Sequence, residues 1–143
     1  MPLPPPQRLL ATPSWLLTQV AAAAGRRSRE RCEAVGAARY HYAILCAVEE
    51  FGPCSQAEIG ARCHMDRKDV AERVRELERQ QCVVRCQDPA DPRRKLVTLT
   101  DAGRARLEEI AAEIAVAQAD LMEPLDDGER DALVAALQKL LGR

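Results

Sequence analysis

The feature that most constrains this chain is a change of hydrophobic period near residue 82. Before it, apolar residues recur every three or four positions. After it, they come in two short β-branched runs. Ser55-Gln56-Ala57-Glu58 forms a capping box, with Ser55 at the cap and Glu58 reaching back, and opens a short helix ending near Cys63. The connection His64-Met65-Asp66 is three residues long. Asp66 then caps a helix from Arg67 to about Gln80, with Val70, Val74 and Leu77 as its core stripe. Two short helices around so tight a turn predict a helix-turn-helix. Val83–Gln87 and Leu96–Leu99 read as strands, and the stretch between them, from Asp88 to Arg94, holds two prolines and a basic end. A hairpin directly after a helix-turn-helix is a wing.

Helices flank this centre. Thr12-Pro13 predicts the start of a long helix from about Pro13 to Val35, ended by Gly36. A second helix is expected from about Ala38 to Phe51, stopped by Gly52-Pro53. Thr100-Asp101 caps another, with Leu107, Ile110, Ile114, Ala117 and Leu121 on one stripe, ending at Pro124. Asp126 and Glu129 open the last helix; its stripe is Leu133, Val134, Leu137, Leu140 and Leu141, and Gly142 terminates it. Residues 1–12 are proline-rich and expected to be flexible. The fold class is therefore mainly α with a small β-hairpin wing. The striped terminal helices need cover, and a second copy of the chain is the simplest cover.

With 143 residues and 47% hydrophobic composition, the chain can build its own core without staples. No apolar run approaches a membrane span, and the N-terminus lacks the basic start and apolar centre of a secretory signal, so a cytoplasmic protein is expected. Net charge is only −1, but it is unevenly spread: residues 67–95 carry 9 basic and 6 acidic side chains, and residues 101–143 carry 5 and 10. One face suits an anion and another is kept away from it. The six cysteines include no CxxC and the two histidines have no zinc spacing, so no metal or cofactor is expected. Most cysteines, Cys82 and Cys86 among them, read as small core residues. No nucleophile motif, glycine-rich phosphate loop or defensible carboxylate pair points to an enzyme.

The segment from Tyr40 to Arg104 resembles the MarR family of winged helix-turn-helix transcription regulators. The residues that carry the resemblance are Phe51-Gly52-Pro53, Ser55–Ile59, Asp66-Arg67, Leu77-Glu78, and above all Asp88-Pro89-Ala90-Asp91-Pro92-Arg93 leading into Leu96-Val97-Thr98-Leu99-Thr100-Asp101-Ala102-Gly103-Arg104. The helix order on both sides also fits. The resemblance implies one domain over residues 13–143. In it, residues 13–36 and 101–143 supply dimerisation helices and residues 38–100 the winged helix-turn-helix. It further implies a homodimer on a pseudo-palindromic site in double-stranded DNA, commonly a repressor released by a small effector or an oxidant.

On this reading the wing offers Asp91 and Arg93, matching the family's Asp-x-Arg, with the acid orienting the guanidinium toward the minor groove. Arg94 and Lys95 stand beside them as phosphate contacts. The recognition helix offers Arg67, Lys68 and Asp69 to base edges and Arg75 to phosphate, while Ser55 and Gln56 present backbone amides. The chain departs from the family here. Lys68, Asp69 and Ala71 replace frequent hydroxyl residues, Glu72 a common base and Arg73 a usually apolar position. His64 and Gln81 stand where glycine is frequent. An acidic Glu72 facing phosphate would repel it, so a dimer that has lost DNA binding and acts through a protein partner is the alternative. For an effector pocket, the nearest aromatic or polar residues are Trp15, Tyr40, His41, Tyr42 and Cys46. His41 reads as a satisfied surface or interface histidine. For a thiol-based redox sensor, Cys32 follows Arg29 and Arg31, and Cys54 precedes a helix N-terminus. Neither matches the cysteine position of the family's peroxide-sensing branch.

Overall fold

The computed structural model describes all 143 residues as seven helices and one two-stranded hairpin. The elements are α1 (Gln7–Leu10), α2 (Pro13–Ala34), α3 (His41–Phe51), α4 (Gln56–Cys63), α5 (Arg67–Arg79), β1 (Val83–Gln87), β2 (Lys95–Leu99), α6 (Asp101–Met122) and α7 (Asp127–Leu140). The chain divides into two compact units. One is Met1–Arg31 with Ile114–Arg143, and the other is Cys32–Glu113.

The second unit contains the winged helix-turn-helix. Its core is Ile44, Leu45 and Val48 from α3, Ile59 from α4, Val70, Val74 and Leu77 from α5, and Val83 and Val97 from the hairpin, all nearly or fully buried. The α5 stripe at spacings of four and three is the face that enters this core. β1 and β2 pair antiparallel, from Val83 opposite Leu99 to Gln87 opposite Lys95. A single bridge joins Cys54 to Val97, so the segment before α4 leans on the base of the wing.

Two left-handed residues make the sharp corners. His64 (φ 53°) ends α4, and its successor Met65 donates back to the Gly60 carbonyl. Gln81 (φ 60°) ends α5, where the Gln81 N–H bonds to Glu78 and the Cys82 N–H to Leu77, a Schellman closure. Both are positions where the family often has glycine, and here larger side chains accept the strain.

The Leu-Thr-x-Ala-Gly stretch has a mechanical reason. The Thr100 hydroxyl donates to the carbonyls of Gln81 (2.6 Å) and Cys82 (3.0 Å), and its oxygen accepts from the Gly103 N–H, which caps α6. A Cβ on Gly103 would run into the Cys82 carbonyl and the Leu99 side chain. Only glycine lets α6 start this close to the hairpin.

Within the proline-rich first dozen residues, Gln7–Leu10 forms one helical turn. Two expectations are corrected. α3 starts at His41 rather than near Ala38, because Tyr40 (φ 74°) turns left-handed and breaks the helical path. Cys86 is not a core residue. It lies on the outward face of β1, while Cys82, at the Schellman turn, is buried.

In the first unit, α7 opens with the capping box Asp126–Glu129 and ends at Gly142 (φ 76°). Arg130 donates to the Met122 and Leu125 carbonyls, joining α7 to the end of α6. No helix is long and apolar enough to cross a membrane.

Candidate nucleic-acid interface

The site grows from three local structures. The first is the α4 capping box. The Ser55 hydroxyl accepts from the Glu58 N–H, and the Glu58 carboxylate accepts from the Ser55 N–H at 2.8 Å. The second is the start of α5, where Asp66 accepts from the Asp69 N–H at 2.8 Å. That bond holds the Asp66 carboxyl below the usual carboxylate range. The third is the wing tip, closed by Asp88 N–H to Arg94 (2.8 Å) and by Arg94 N–H to Asp91 (3.0 Å).

Together they enclose an open cleft of about 710 Å³, lined among others by Gln56, Arg67, Arg85, Arg93, Arg94 and Lys95. Five of its eleven lining residues are cationic and none is acidic, so the cleft suits an anion. Its charges are unequal. Arg85 is tied to Glu78 at 2.8 Å, and Arg94 to Glu58 at 2.7 Å with Asp88 at 3.7 Å. Arg67, Arg93 and Lys95 are exposed and form no ion pair within the chain.

The remaining expected residues fall as follows. Lys68, Glu72, Arg75 and Arg79 form the outward stripe of α5, all exposed. Glu72 therefore sits between two cations on the face turned to solvent. Asp69 is half-buried. Two assignments change. Asp91 does not orient the Arg93 guanidinium; its carboxylate accepts the Arg93 backbone N–H at 3.0 Å and shapes the tip. Ser55 is buried and its N–H is taken by Glu58, so the uncommitted amides of this turn are those of Gln56 and Ala57. Arg94, expected beside Lys95 as a phosphate contact, is paired with Glu58 in the chain itself. Arg85 was missed: it lines the cleft while paired with Glu78, a contact between α5 and β1 that sequence spacing does not reveal.

The expected surface histidine is also corrected. His41 is 1% exposed. Its Nδ1 accepts from the Ala38 N–H (3.3 Å) and its Nε2 donates to Glu76 (2.9 Å), which fixes a neutral tautomer. Burial lowers its pKa, outweighing the opposite pull of Glu76. Glu76 also accepts from Arg73 at 2.7 Å. The Arg73 that replaces an apolar family position is thus part of a polar chain linking α5 to α3.

Of the other effector candidates, Tyr40 and Tyr42 are half-buried, and Arg39 stacks on the Tyr40 ring at 4.5 Å. Burial raises Cys46, next to Tyr42. Trp15 belongs to the first unit, half-buried on α2. The redox candidates lose their premise. Burial and Glu113 raise the Cys32 thiol against the pull of Arg106, and burial and Glu58 raise Cys54, whose Sγ donates to Gly52. Neither is poised as a thiolate. No group of His, Cys, Asp or Glu is arranged to hold a metal.

A helix-turn-helix with a basic hairpin beside it defines a winged helix-turn-helix protein. The comparisons with known proteins agree. A MarR-family profile matches residues 37–94. The transcriptional repressor NicR of Pseudomonas putida is 31% identical over 100 residues, covering 70% of this chain and 63% of NicR. The chain thus matches slightly less than two thirds of that repressor's length. A crystal structure of a probable transcriptional regulator from Pseudomonas aeruginosa shares 30% identity over 90% of this chain and 96% of its own, with a TM-score of 0.77. Bordetella bronchiseptica BpsR, whose DNA binding is regulated by 6-hydroxynicotinic acid, shares 25% identity over 92% of this chain and 94% of its own, with a TM-score of 0.83. The chain belongs to the MarR family of transcription regulators. Members of that family act by binding DNA rather than by catalysis.

Proposed function

We propose that the chain is a DNA-binding transcriptional repressor, working as a homodimer on a pseudo-palindromic operator and responding to a small effector. The observation that carries this reading is the trio of unpaired cations, Arg67, Arg93 and Lys95, around one cleft at the start of α5. Phosphate contacts there and at Arg75 set affinity, and the outward α5 residue Lys68 reads the bases. Residues 38–100 form the DNA-gripping part. Residues 13–36 and 101–143 form the dimer helices, which supports a reason for apolar side chains left open on α2 and α7. A cytoplasmic location follows from the role. The effector action seen for BpsR makes 6-hydroxynicotinic acid the first compound to try.

The test is selection of bound fragments from genomic DNA by the purified protein, followed by release assays with that acid. Recovery of fragments sharing an inverted repeat is expected. Recovery of no preferred sequence would favour the partner-based reading, for which the exposed Glu72 on α5 is the supporting observation.

A further inference from the structure

We propose that Arg94 is a positioning residue: its ion pair with Glu58 latches the wing to α4 and so aims Arg93 and Lys95 at DNA. The inference rests on the DNA-binding reading and assigns the wing's geometry to a contact between two elements.

The latch is anchored at both ends. On the α4 side, Glu58 accepts from the Ser55 N–H at 2.8 Å and from the Ser55 hydroxyl at 3.1 Å, so its carboxylate cannot swing freely. On the wing side, the Arg94 backbone closes the tip through bonds to Asp88 and Asp91, and the Asp88 carboxylate lies 3.7 Å from its guanidinium. Gln87 adds a bond to the Pro92 carbonyl at 2.9 Å. The hairpin ladder itself stops at Gln87–Lys95. Near the base, Cys54 pairs with Val97. At the tip, the Arg94–Glu58 pair at 2.7 Å joins the wing to the helix-turn-helix. Arg93 and Lys95 flank Arg94 and stay exposed, so fixing Arg94 fixes the direction of both. Opposite charge shifts fit a tight pair. Glu58 falls to about 2, through the Ser55 N–H first and Arg94 next, and Arg94 is raised by Glu58. A wing held before binding loses less freedom on binding.

The test uses the double variant Glu58→Gln/Arg94→Gln. It keeps the net charge of the pair, and glutamine still serves a capping box. Two readouts are taken on the full chain. Hydrogen exchange of residues 88–95 without DNA reports the latch itself, whatever the chain binds. Fluorescence anisotropy across a salt series on a selected genomic duplex reports its use. Expected are faster exchange at the tip and affinity lower by ~3–5-fold, with an unchanged salt slope. Unchanged exchange overturns the latch even if the wild type binds no DNA. A salt slope shallower by about 0.9 overturns it too, because Arg94 would then neutralise a phosphate directly. If the wild type shows no selective binding, the DNA reading fails while the exchange result still judges the latch.

Discussion

The two units of this molecule treat their apolar side chains in opposite ways. In Cys32–Glu113, each helix and strand sends its stripe into one core, and eleven side chains, the pair-making His41 among them, are fully buried. In the other unit, α7 has no buried residue, and Val134, Leu140 and Leu141 are 46%, 73% and 76% exposed. Leu17 and Val20 on α2 are open as well. A capped helix such as α7 has local reasons to form, yet its apolar face has no cover in a single chain. The contrast teaches that the winged core closes on its own side chains, whereas α2 and α7 leave apolar side chains open, the observation on which the proposed homodimer rests.

The sharpest way to break this comparison is to charge the open face. Val134→Asp/Leu141→Asp is expected to convert the proposed dimer to monomer in sedimentation velocity. Affinity for an operator should fall by about 10²-fold or more, since two linked half-site contacts become one. Circular dichroism should show the helices of the winged core intact. A dimer that survives the pair of charges would place the interface elsewhere.

The converse change strikes the core. Ile59→Ala is expected to cost about 2–5 kcal/mol in urea unfolding, and Gly103→Ala about 1–3 kcal/mol or more, because the new methyl group meets the Cys82 carbonyl. Neither should alter the salt slope of the protein that remains folded. An effect on the slope would mean that core and interface are not separable in the way the structure draws them.

Acid probes the buried polar chain. The folded His41 pKa lies below its ordinary 6.5, so the unfolded chain takes up the proton first. Stability from this group is therefore present above about 6.5 and falls as pH drops through the lowered value. Protonation would also set an Nδ1–H against the Ala38 N–H. Glu58 adds a second loss between its ordinary 4.5 and about 2. Chemical denaturation across pH should show both phases, and His41→Gln should remove the upper one. An upper phase that persists in that variant would assign it to another group.

The smallest effects sharpen the comparison at the turns. His64→Gly and Gln81→Gly should each stabilise the chain by ~0.5 kcal/mol, as relief of the left-handed strain exceeds the added freedom of the unfolded glycine. DNA affinity should stay the same, which thermal melts paired with anisotropy can check.

Much of the fold was legible because it is written locally. The capping boxes at Ser55 and Asp126, the cap at Asp66, the period change after Gln81 and the prolines of the wing each fix an element within a few residues. The glycine-poor corners at His64 and Gln81 were legible as departures, and the structure shows what they depart from. Contacts between elements were not legible. Nothing in the spacing of Glu58 and Arg94, or of His41 and Glu76, announces that they meet. The start of α3 slipped because a left-handed Tyr40 is not a residue that spacing singles out. Cys32 misled for the same reason. Its neighbours in sequence are arginines, but burial and Glu113 from α6 decide its thiol. The arginines adjacent to Cys32 in sequence are not the groups that set its thiol.

The proposed function requires that Arg67, Arg93 and Lys95, the unpaired cations of the cleft, grip DNA. Its most direct test is the salt dependence of binding for the wild type and Arg93→Ala on one selected duplex, with a scrambled duplex as control. Weaker binding of the variant to both duplexes is expected, with a shallower slope of log affinity against log salt. Equal affinity and equal slope for the two proteins would contradict it.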